Sequence, residues 1–323
     1  MRMEQGARIV VESWLHAQPE DVLHFITDET KLEEARAFSD AARRAGAIPK
    51  LTVLSSDSVQ SGDSIEQMRE IMSYATAIVG ATNYSFITTN AVQFALRQGA
   101  RFLSLPLSTN NGESLLQQDF LKMRPSSAAR MGRPMLRRLK ENDSVRITTR
   151  LGTDITFGIR DRKPGIFNGV AVRAGVCASA SFEVYIPPVE TVTSGRVILD
   201  GSMGYIGLVK HPTELGFTEG YLTYIENTPD GQKLRAYLEQ FGDPEMFCAA
   251  ELGIGLNRLA RCRGASYIED ESAYGTFHIG FGRNLALGGS HDAAGHFDIV
   301  IHNPTIYAGQ SVLMKNGECC AWF

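Results

Sequence analysis

The first 140 residues of the chain alternate short apolar runs with stretches of helical spacing. The runs that predict β-strands lie at 21–28, 49–55, 76–82 and 101–107. The stretches that predict helices lie between them, at 30–46, 64–75 and 89–100. Because this alternation is typical of a parallel sheet covered by helices, we expect an α/β, Rossmann-like domain over residues 1–142. No glycine-rich dinucleotide or phosphate-loop motif accompanies the strands, so the pattern assigns this half no nucleotide.

From about residue 143 the apolar positions alternate with a period of two. Residues 144–162 form two such runs around the turn sequence LGTD, which predicts a β-hairpin. Further strands are predicted at 181–188, 195–201, 204–210, 220–227, 266–270, 276–282, 295–302 and 310–317. Only the stretch 230–242 has clear helical spacing. We therefore expect a second, mostly antiparallel β (α+β) domain over residues 143–323.

Composition and charge exclude some classes of function. The 323 residues are 43% hydrophobic and 21% charged, with a formal net charge of −4. This balance gives no attraction to nucleic acid or to an anionic membrane surface, and the basic stretch 130–142 is expected to be the exposed face of a helix. No apolar run is long enough to span a bilayer, and the five cysteines follow no disulfide or metal-binding pattern. We expect a cytoplasmic protein with no nucleic-acid or membrane partner.

Three of the seven histidines lie on two predicted strands of the second half. Alternation places His278 on the same face as two glycines, which leaves open space beside the imidazole. It also places His296, Asp298 and His302 on one face of the strand 295–302. These faces are either the polar outer faces of two ordinary strands or the lining of a site.

Two carboxylates in other segments favour the site. Glu183 follows Phe182 on a strand that ends at two prolines, and Glu251 stands alone among small and apolar residues. A carboxylate in such surroundings is costly to bury without a cation or hydrogen-bond donors. Imidazoles and carboxylates together form a ligand set suited to zinc, cobalt, manganese or ferrous iron.

Four segments of the second half resemble a known family in their order and spacing. The segments FEVYIPP, AELGIGLN, YGTFHIGFG and GHFDIVIHNPTIYAGQSVLMKNG are similar to those of the metallo-aminopeptidases typified by aminopeptidases T and S. The resemblance implies a homodimeric two-metal hydrolase of peptides or small amides, containing zinc or cobalt, with manganese as a further candidate. The ligands that it implies are Glu183, Glu251, His278, His296 and Asp298, and either glutamate could accept a proton from the attacking water.

The chain also departs from that family. Only 17 residues separate His278 from His296, and Leu285 stands where the family has a tyrosine. This compact stretch looks more like the dihydroxypyridine dioxygenases of the same superfamily, in which two histidines and an aspartate hold one iron. In those enzymes a histidine replaces Glu251, and the histidine found here as His278 is missing.

Because the ligand set decides what the metal can do, we predict hydrolysis, with Fe(II)-dependent ring cleavage as the alternative. A further alternative is a binding protein whose catalytic site has degenerated. Three more residues are predicted to contact the substrate, namely Arg283, Asn284 and His302.

Overall fold

The computed structural model describes residues 1–57 and 63–320, which fold into two compact units. The first unit comprises residues 1–125 and 167–181, and the second comprises residues 126–166 and 182 onward. This division differs from a single boundary at residue 142 in two ways. The helix Pro125–Lys140 lies almost wholly in the second unit, and the chain later returns to the first unit to add one strand.

The strands are numbered β1 to β20 along the chain. They are β1 Val22–Asp28, β2 Ile48–Leu54, β3 Ala77–Ala81, β4 Arg101–Ser104, β5 Ser144–Thr148, β6 Asp154–Gly158, β7 Gly165–Asn168, β8 Cys177–Ser179, β9 Phe182–Ile186, β10 Ser194–Leu199, β11 Ser202–Met203, β12 Gly207–Leu208, β13 Thr213–Thr218, β14 Tyr221–Ile225, β15 Ala249–Gly255, β16 Thr276–Gly282, β17 His296–His302, β18 Thr305–Ala308, β19 Ser311–Lys315 and β20 Glu318–Cys319.

Helical segments connect many of these strands. The α-helices are Met3–Arg8, Leu32–Arg44, Asp63–Gln67, Arg69–Met72, Asn90–Arg97, Pro125–Lys140, Pro229–Glu239 and Tyr267–Ser272. A π-helical turn covers Ile9–Trp14, and 3₁₀ turns cover Glu29–Lys31, Leu115–Gln117, Asp119–Lys122, Gly204–Ile206, Pro244–Phe247 and Leu285–Leu287. Within the described ranges, no helix has the length and apolar character needed to cross a bilayer.

The first unit is built around a parallel sheet with the strand order β2-β1-β3-β4-β8. The helix Leu32–Arg44 carries acidic residues in its first turn and basic residues in its last, which complements the helix dipole. Its apolar stripe packs on one sheet face, where Phe38 stacks on Phe25 with ring centroids 5.2 Å apart. Ile26, Ile78 and Phe102 belong to a buried cluster on the other face. The α/β expectation for this half is met by a parallel sheet with helices.

The second unit contains two large sheets. One has eight strands in the order β14-β13-β10-β6-β5-β18-β19-β20, and the other has seven in the order β12-β11-β17-β16-β15-β9-β7. Alternation buries Phe277, Ile279 and Phe281 on one face of β16, as predicted. Phe281 stacks on Phe217 of the other sheet at 6.0 Å, so apolar side chains from both sheets share one core.

Two strand predictions in this half are wrong. Residues 204–210 form a 3₁₀ turn and the two-residue strand β12, because Gly204 and Gly207 both have positive φ angles. Residues 267–272 form a helix, although Tyr267 and Ile268 favour strands. Glu269 and Asp270 lie in the first turn of this helix, where the helix dipole favours negative charge.

Candidate metal centre

The register of neighbouring strands brings the predicted ligands to one face of the seven-stranded sheet. Gly280 of β16 pairs with Glu251 of β15 on one side and with Asp298 of β17 on the other. Gly253 of β15 lies directly opposite His278 of β16. Directly paired residues point to the same face of a sheet. The residues gathered on this face are Glu183, Glu251, His278, His296 and Asp298.

The glycines on this face make room for the imidazole rings. A Cβ atom on Gly253 would lie 1.9 Å from His278 Nε2, and one on Gly280 would lie 2.7 Å from His296 Cε1. Larger residues at either position would displace a ring or shift a strand. The space that the sequence analysis placed beside His278 is therefore filled by the imidazoles themselves.

The five side chains form two triads that share Glu251. In the first, His278 Nε2 lies 2.7 Å from Glu183 Oε2 and 4.0 Å from Glu251 Oε1. In the second, His296 Nε2 lies 3.2 Å from both Glu251 Oε2 and Asp298 Oδ1. Within each triad the potential ligand atoms all lie within 4.8 Å of one another. This spacing suits a metal ion, since imidazole nitrogens and carboxylate oxygens bind metals at about 2 Å.

A β-bulge sets the position of Glu251. The pairing of β15 with β16 shifts between Ala249 and Glu251, so that Ala250 is the extra residue. The carbonyl of Ala250 accepts a hydrogen bond from Asn284 Nδ2 at 3.1 Å. Asn284 is fully buried, and its Oδ1 also accepts the N–H of His291 at 2.8 Å. Asn284, which the sequence predicts to contact the substrate, holds the bulge beside Glu251 through its amide group in this structure.

Arg283 orients His296 through its main chain. His296 Nδ1 lies 2.8 Å from the carbonyl oxygen of Arg283, and because a carbonyl only accepts, Nδ1 carries the hydrogen. The neutral tautomer thus leaves the lone pair of Nε2 facing Glu251 and Asp298, as a metal-ligating histidine requires. The guanidinium of Arg283 pairs instead with Asp292, with Nε and Oδ1 2.7 Å apart.

Two other residues singled out in the sequence lie away from the triads. His302 pairs with Thr276 at the far end of β17, four residues from Asp298. It lines a separate cavity of about 560 Å³ together with Arg150 and Asp200. The structure therefore does not bring His302 to the metal centre. Leu285 is 47% exposed at the start of a 3₁₀ turn and offers no hydroxyl group.

Three residues near the centre, Glu271, Tyr267 and Tyr205, were not predicted from the sequence. The helix Tyr267–Ser272 packs against β9, β15, β16 and β17. It brings the buried carboxyl group of Glu271 close enough to interact electrostatically with the carboxylates of both triads. Tyr267 lies one turn earlier, and its ring centroid is 4.6 Å from that of Tyr205. The available signal was the sequence SYIEDES, in which a serine precedes acidic residues at helical spacing.

The centre gathers more carboxyl groups than imidazoles, and their proximity shifts the pKa values of both kinds of group. Burial raises the pKa of Glu271 well above its ordinary value, and the neighbouring carboxylates of Asp298, Glu183 and Glu251 raise it further. Burial also raises the pKa of Glu251. Burial opposes protonation of His278, but the carboxylates of Glu183, Asp298 and Glu251 together outweigh it and raise the pKa of His278 to about 9. Two imidazoles thus face four buried carboxyl groups, those of Glu183, Glu251, Glu271 and Asp298.

A divalent cation fits this arrangement. When Nε2 of His296 carries no proton, its lone pair and two carboxylate oxygens converge at distances that suit a bound cation. Nitrogen and oxygen ligands of this kind suit ferrous iron and other first-row divalent metals. The site is therefore a candidate metal centre buried on one face of a β-sheet.

Comparison with known proteins identifies the family. The family model "NicX: 2,5-dihydroxypyridine 5,6-dioxygenase" matches residues 3–321, and the chain belongs to this family. A curated relative, the 2,5-dihydroxypyridine 5,6-dioxygenase of Pseudomonas putida KT2440, is 24% identical over 145 residues. That match covers 42% of this chain and 41% of the relative, so it spans less than half of the relative's length.

Two solved structures share the fold. The 2,5-dihydroxypyridine dioxygenase of Pseudomonas putida KT2440 superposes with a TM-score of 0.84 at 17% identity, covering 99% of this chain and 98% of that one. Wild-type AmpT of Thermus thermophilus superposes with a TM-score of 0.67 at 13% identity, covering 98% of both chains. The aminopeptidase resemblance is thus a likeness of structure.

The family assignment overturns the main functional prediction. The chain was expected to be a metallo-hydrolase with aminopeptidase activity, whereas the matching family and the curated relative are both dioxygenases. The hydrolase prediction is wrong, and the findings favour the alternative. The preference for zinc or cobalt loses its support as well. The error came from weighing the ligand types above the compact spacing of His278 and His296, although similar ligand sets serve several chemistries.

Proposed function

We propose that the chain is a metal-dependent dioxygenase that cleaves the ring of 2,5-dihydroxypyridine or a close dihydroxylated analogue. In this reaction the C5–C6 bond of the ring breaks and both atoms of one dioxygen molecule enter the product. The observation that carries the proposal is the triad Glu251–His296–Asp298, in which both carboxylates are buried, in a chain that matches the dioxygenase family over residues 3–321.

Ferrous iron is the proposed cofactor, and His296, Asp298 and Glu251 would hold it. When bound, ferrous iron supplies electrons to dioxygen and a coordination position for a substrate oxygen. One imidazole and two carboxylates differ from the ligands of two histidines and one aspartate implied by the dioxygenase resemblance. His278 offers a second imidazole on the opposite side of Glu251, with its Nε2 4.0 Å from Glu251 Oε1.

The protein itself keeps the site rigid and dry. The Arg283 carbonyl fixes the His296 ring, and Asn284 fixes the bulge that carries Glu251. Glu183 and His278 are almost fully buried, which keeps bulk water away from the ligands and strengthens their electrostatic interactions. These contacts hold the ligand atoms in position before substrate arrives.

The proposal is tested by reconstitution. Metal-free protein is loaded with Fe²⁺ under argon, mixed with 2,5-dihydroxypyridine and exposed to ¹⁸O₂. We expect one dioxygen consumed per substrate and two labelled oxygen atoms in the ring-opened product, measured by an oxygen electrode and mass spectrometry. Absence of oxygen uptake by folded, iron-loaded protein with this substrate and its dihydroxylated analogues would refute the proposal. Parallel loading with Zn²⁺ is the control, since zinc has no redox chemistry.

A further inference from the structure

Asn284 holds the bulge beside Glu251, and the carboxylate of Glu190 holds Asn284 in turn. Glu190 Oε1 accepts a hydrogen bond from Asn284 Nδ2 at 3.2 Å. The same nitrogen donates its other hydrogen to the carbonyl of Ala250 at 3.1 Å, so both hydrogens of the amide group are used. Because a carboxylate only accepts hydrogen bonds, it keeps the NH₂ group of Asn284, rather than its oxygen, on the side of the bulge.

Glu190 also contacts the loop that follows β16. Its Oε1 accepts the main-chain N–H of Ser290 at 2.9 Å and the hydroxyl group of Ser290 at 3.1 Å. The two ends of this loop are joined by Asn284 and His291. The N–H of Asn284 donates to the carbonyl of His291 at 3.1 Å, and Asn284 Oδ1 accepts the N–H of His291 at 2.8 Å. One carboxylate oxygen thus fixes the loop at Asn284 and at Ser290.

The start of this loop also supports the second imidazole of the centre. Arg283 directly precedes Asn284, and its N–H donates to the carbonyl of Gly295 at 2.7 Å. The carbonyl of Arg283 is the group that orients the His296 ring, at 2.8 Å from Nδ1. A displacement of Asn284 would therefore disturb a contact of His296 as well as the bulge.

Glu190 is itself held in place. It lies in the turn between β9 and β10, and its second oxygen, Oε2, forms an ion pair with the guanidinium group of Arg162. Both side chains of this pair are mostly buried. Burial by itself would raise the pKa of Glu190, but hydrogen bonds from Ser290 and Asn284 and the charge of Arg162 lower it below its ordinary value. The carboxylate therefore stays ionised and keeps accepting these hydrogen bonds.

We propose that Glu190 is a positioning residue of the metal centre. Through Asn284 it fixes the bulge that carries Glu251, and through the adjoining loop it fixes the contact that orients His296. Residues that orient metal ligands typically contribute 10- to 100-fold to metal affinity. This role depends on the metal centre that the proposed function uses, but not on the reaction that the metal performs.

Two conservative substitutions separate the position of the carboxylate from its charge. Glu190→Asp keeps the charge but shortens the side chain, so that Asn284 and Ser290 lose their acceptor. Glu190→Gln removes the charge but keeps an oxygen that can accept from Asn284. Metal-free protein is titrated with Co²⁺ and followed by the visible absorption of the bound cobalt. We expect Glu190→Asp to lower the Co²⁺ affinity about 10-fold and to alter the cobalt spectrum, and Glu190→Gln to stay within about threefold of the wild type.

The opposite order of affinities would show that charge, rather than position, is what Glu190 supplies, and would overturn the inference. Wild-type affinity in Glu190→Asp would overturn it as well. A double substitution tests the route through Asn284. In an Asn284→Ala background, Glu190→Asp should cost no further Co²⁺ affinity, because the contact on which it acts is already absent. A further 10-fold loss in that background would contradict the proposed route.

Glu226→Asp is the matched control. Glu226 is half-buried and its Oε2 accepts the N–H of Glu214 at 2.9 Å, but it follows β14 of the eight-stranded sheet. This variant should bind Co²⁺ like the wild type, and an equal loss of affinity in it would contradict a specific role of Glu190. A wild-type protein that binds Co²⁺, but when loaded with Fe²⁺ consumes no oxygen with the pyridines, would refute the proposed function and leave the role of Glu190 intact.

Discussion

Both units contain buried carboxylates on strands of a β-sheet, but the groups that contact these carboxylates differ between the units. In the first unit, Asp28 at the end of β1 is fully buried and accepts hydrogen bonds from the main-chain N–H groups of Thr30 at 3.0 Å and Asn83 at 2.6 Å. The side chains of Thr30, Ser56 and Asn83 also donate to it. In the second unit, Glu251 and Asp298 face His296 and other carboxylates instead.

The difference separates a structural carboxylate from a binding site. Asp28 finds enough donors within its own unit to offset the loss of water, so nothing further is required there. The carboxyl groups of the second unit instead face one another and two imidazoles, which is the ligand set of a divalent cation. Burial alone therefore does not show that a carboxylate is functional. The groups that contact it distinguish a structural carboxylate from one in a binding site.

The largest effect is expected from removing a ligand of the second unit. His296→Ala should lower the affinity for Fe²⁺ more than about 100-fold and abolish oxygen uptake, because it removes a ligand atom of a triad. His302→Ala is the matched control, since it removes the same side chain from the same strand but away from the triads. Metal analysis after dialysis distinguishes them. Equal metal content in both variants would contradict the assignment of the centre.

A large loss of stability is expected from the structural carboxylate of the first unit. Asp28→Ala should lower the free energy of unfolding by about 3 kcal/mol, because it leaves several buried donors without an acceptor. Bound metal per folded chain should not change. Urea unfolding measures the effect, and Asp40→Ala is the control because Asp40 is exposed on the helix Leu32–Arg44. Loss of metal from folded Asp28→Ala would show that this comparison of the two carboxylate groups is wrong.

The first unit should also show a pH-dependent stability that comes from His24. Burial, with a contribution from Lys50, lowers the pKa of His24 from 6.5 to about 4. Between these pH values the unfolded chain binds a proton that the folded chain excludes, so stability is full above pH 6.5 and falls as the pH drops toward 4. The loss amounts to about 3 kcal/mol.

Urea unfolding between pH 7 and pH 4 measures this loss, and His24→Gln should flatten the curve. His16→Gln is the control, because His16 is exposed in the same unit. Parallel curves for wild type and His24→Gln would argue that His24 is accessible to protons in the folded state.

The smallest effect is expected at Arg283. Arg283→Ala removes an ion pair with Asp292 that is largely exposed, which costs less than about 1 kcal/mol. The main-chain carbonyl that orients His296 remains, so metal binding and kcat/KM should change less than about threefold. Steady-state kinetics and metal analysis measure both. A tenfold rise in KM would instead support the predicted contact between the Arg283 side chain and the substrate.

Sequence periodicity predicted much of the scaffold of the centre. The alternation of β16 and β17 correctly separated the polar face, with His278, His296 and Asp298, from the apolar face. Glu251 was found because a lone carboxylate among small residues is unusual. Its location on the same face depends on a bulge, and a period-two pattern cannot show an extra residue in one strand.

Tertiary packing explains what the sequence did not predict. Tyr267 and Ile268 favour a strand by their side chains, whereas packing against β15 and β17 makes the segment a helix and brings Glu271 to the centre. The role of Asn284 depends on a hydrogen bond to a bulge 34 residues earlier, which local pattern cannot show. The type of reaction was predicted wrongly because the identity of the ligands narrows the choice of metal but does not determine which reaction the metal catalyses.

Because of the bulge at Ala250, a one-residue shift in the register of β15 against β16 would destroy the metal centre. If β15 slid by one residue against β16, the bulge would close and Glu251 would lie opposite Ile279, inside the hydrophobic core. Asn284 opposes this movement by holding the Ala250 carbonyl, and the tight fit of His278 over Gly253 opposes it further along the strand. A chain that misfolds in this way would keep all its ligand residues and most of its secondary structure, yet would be unable to bind metal.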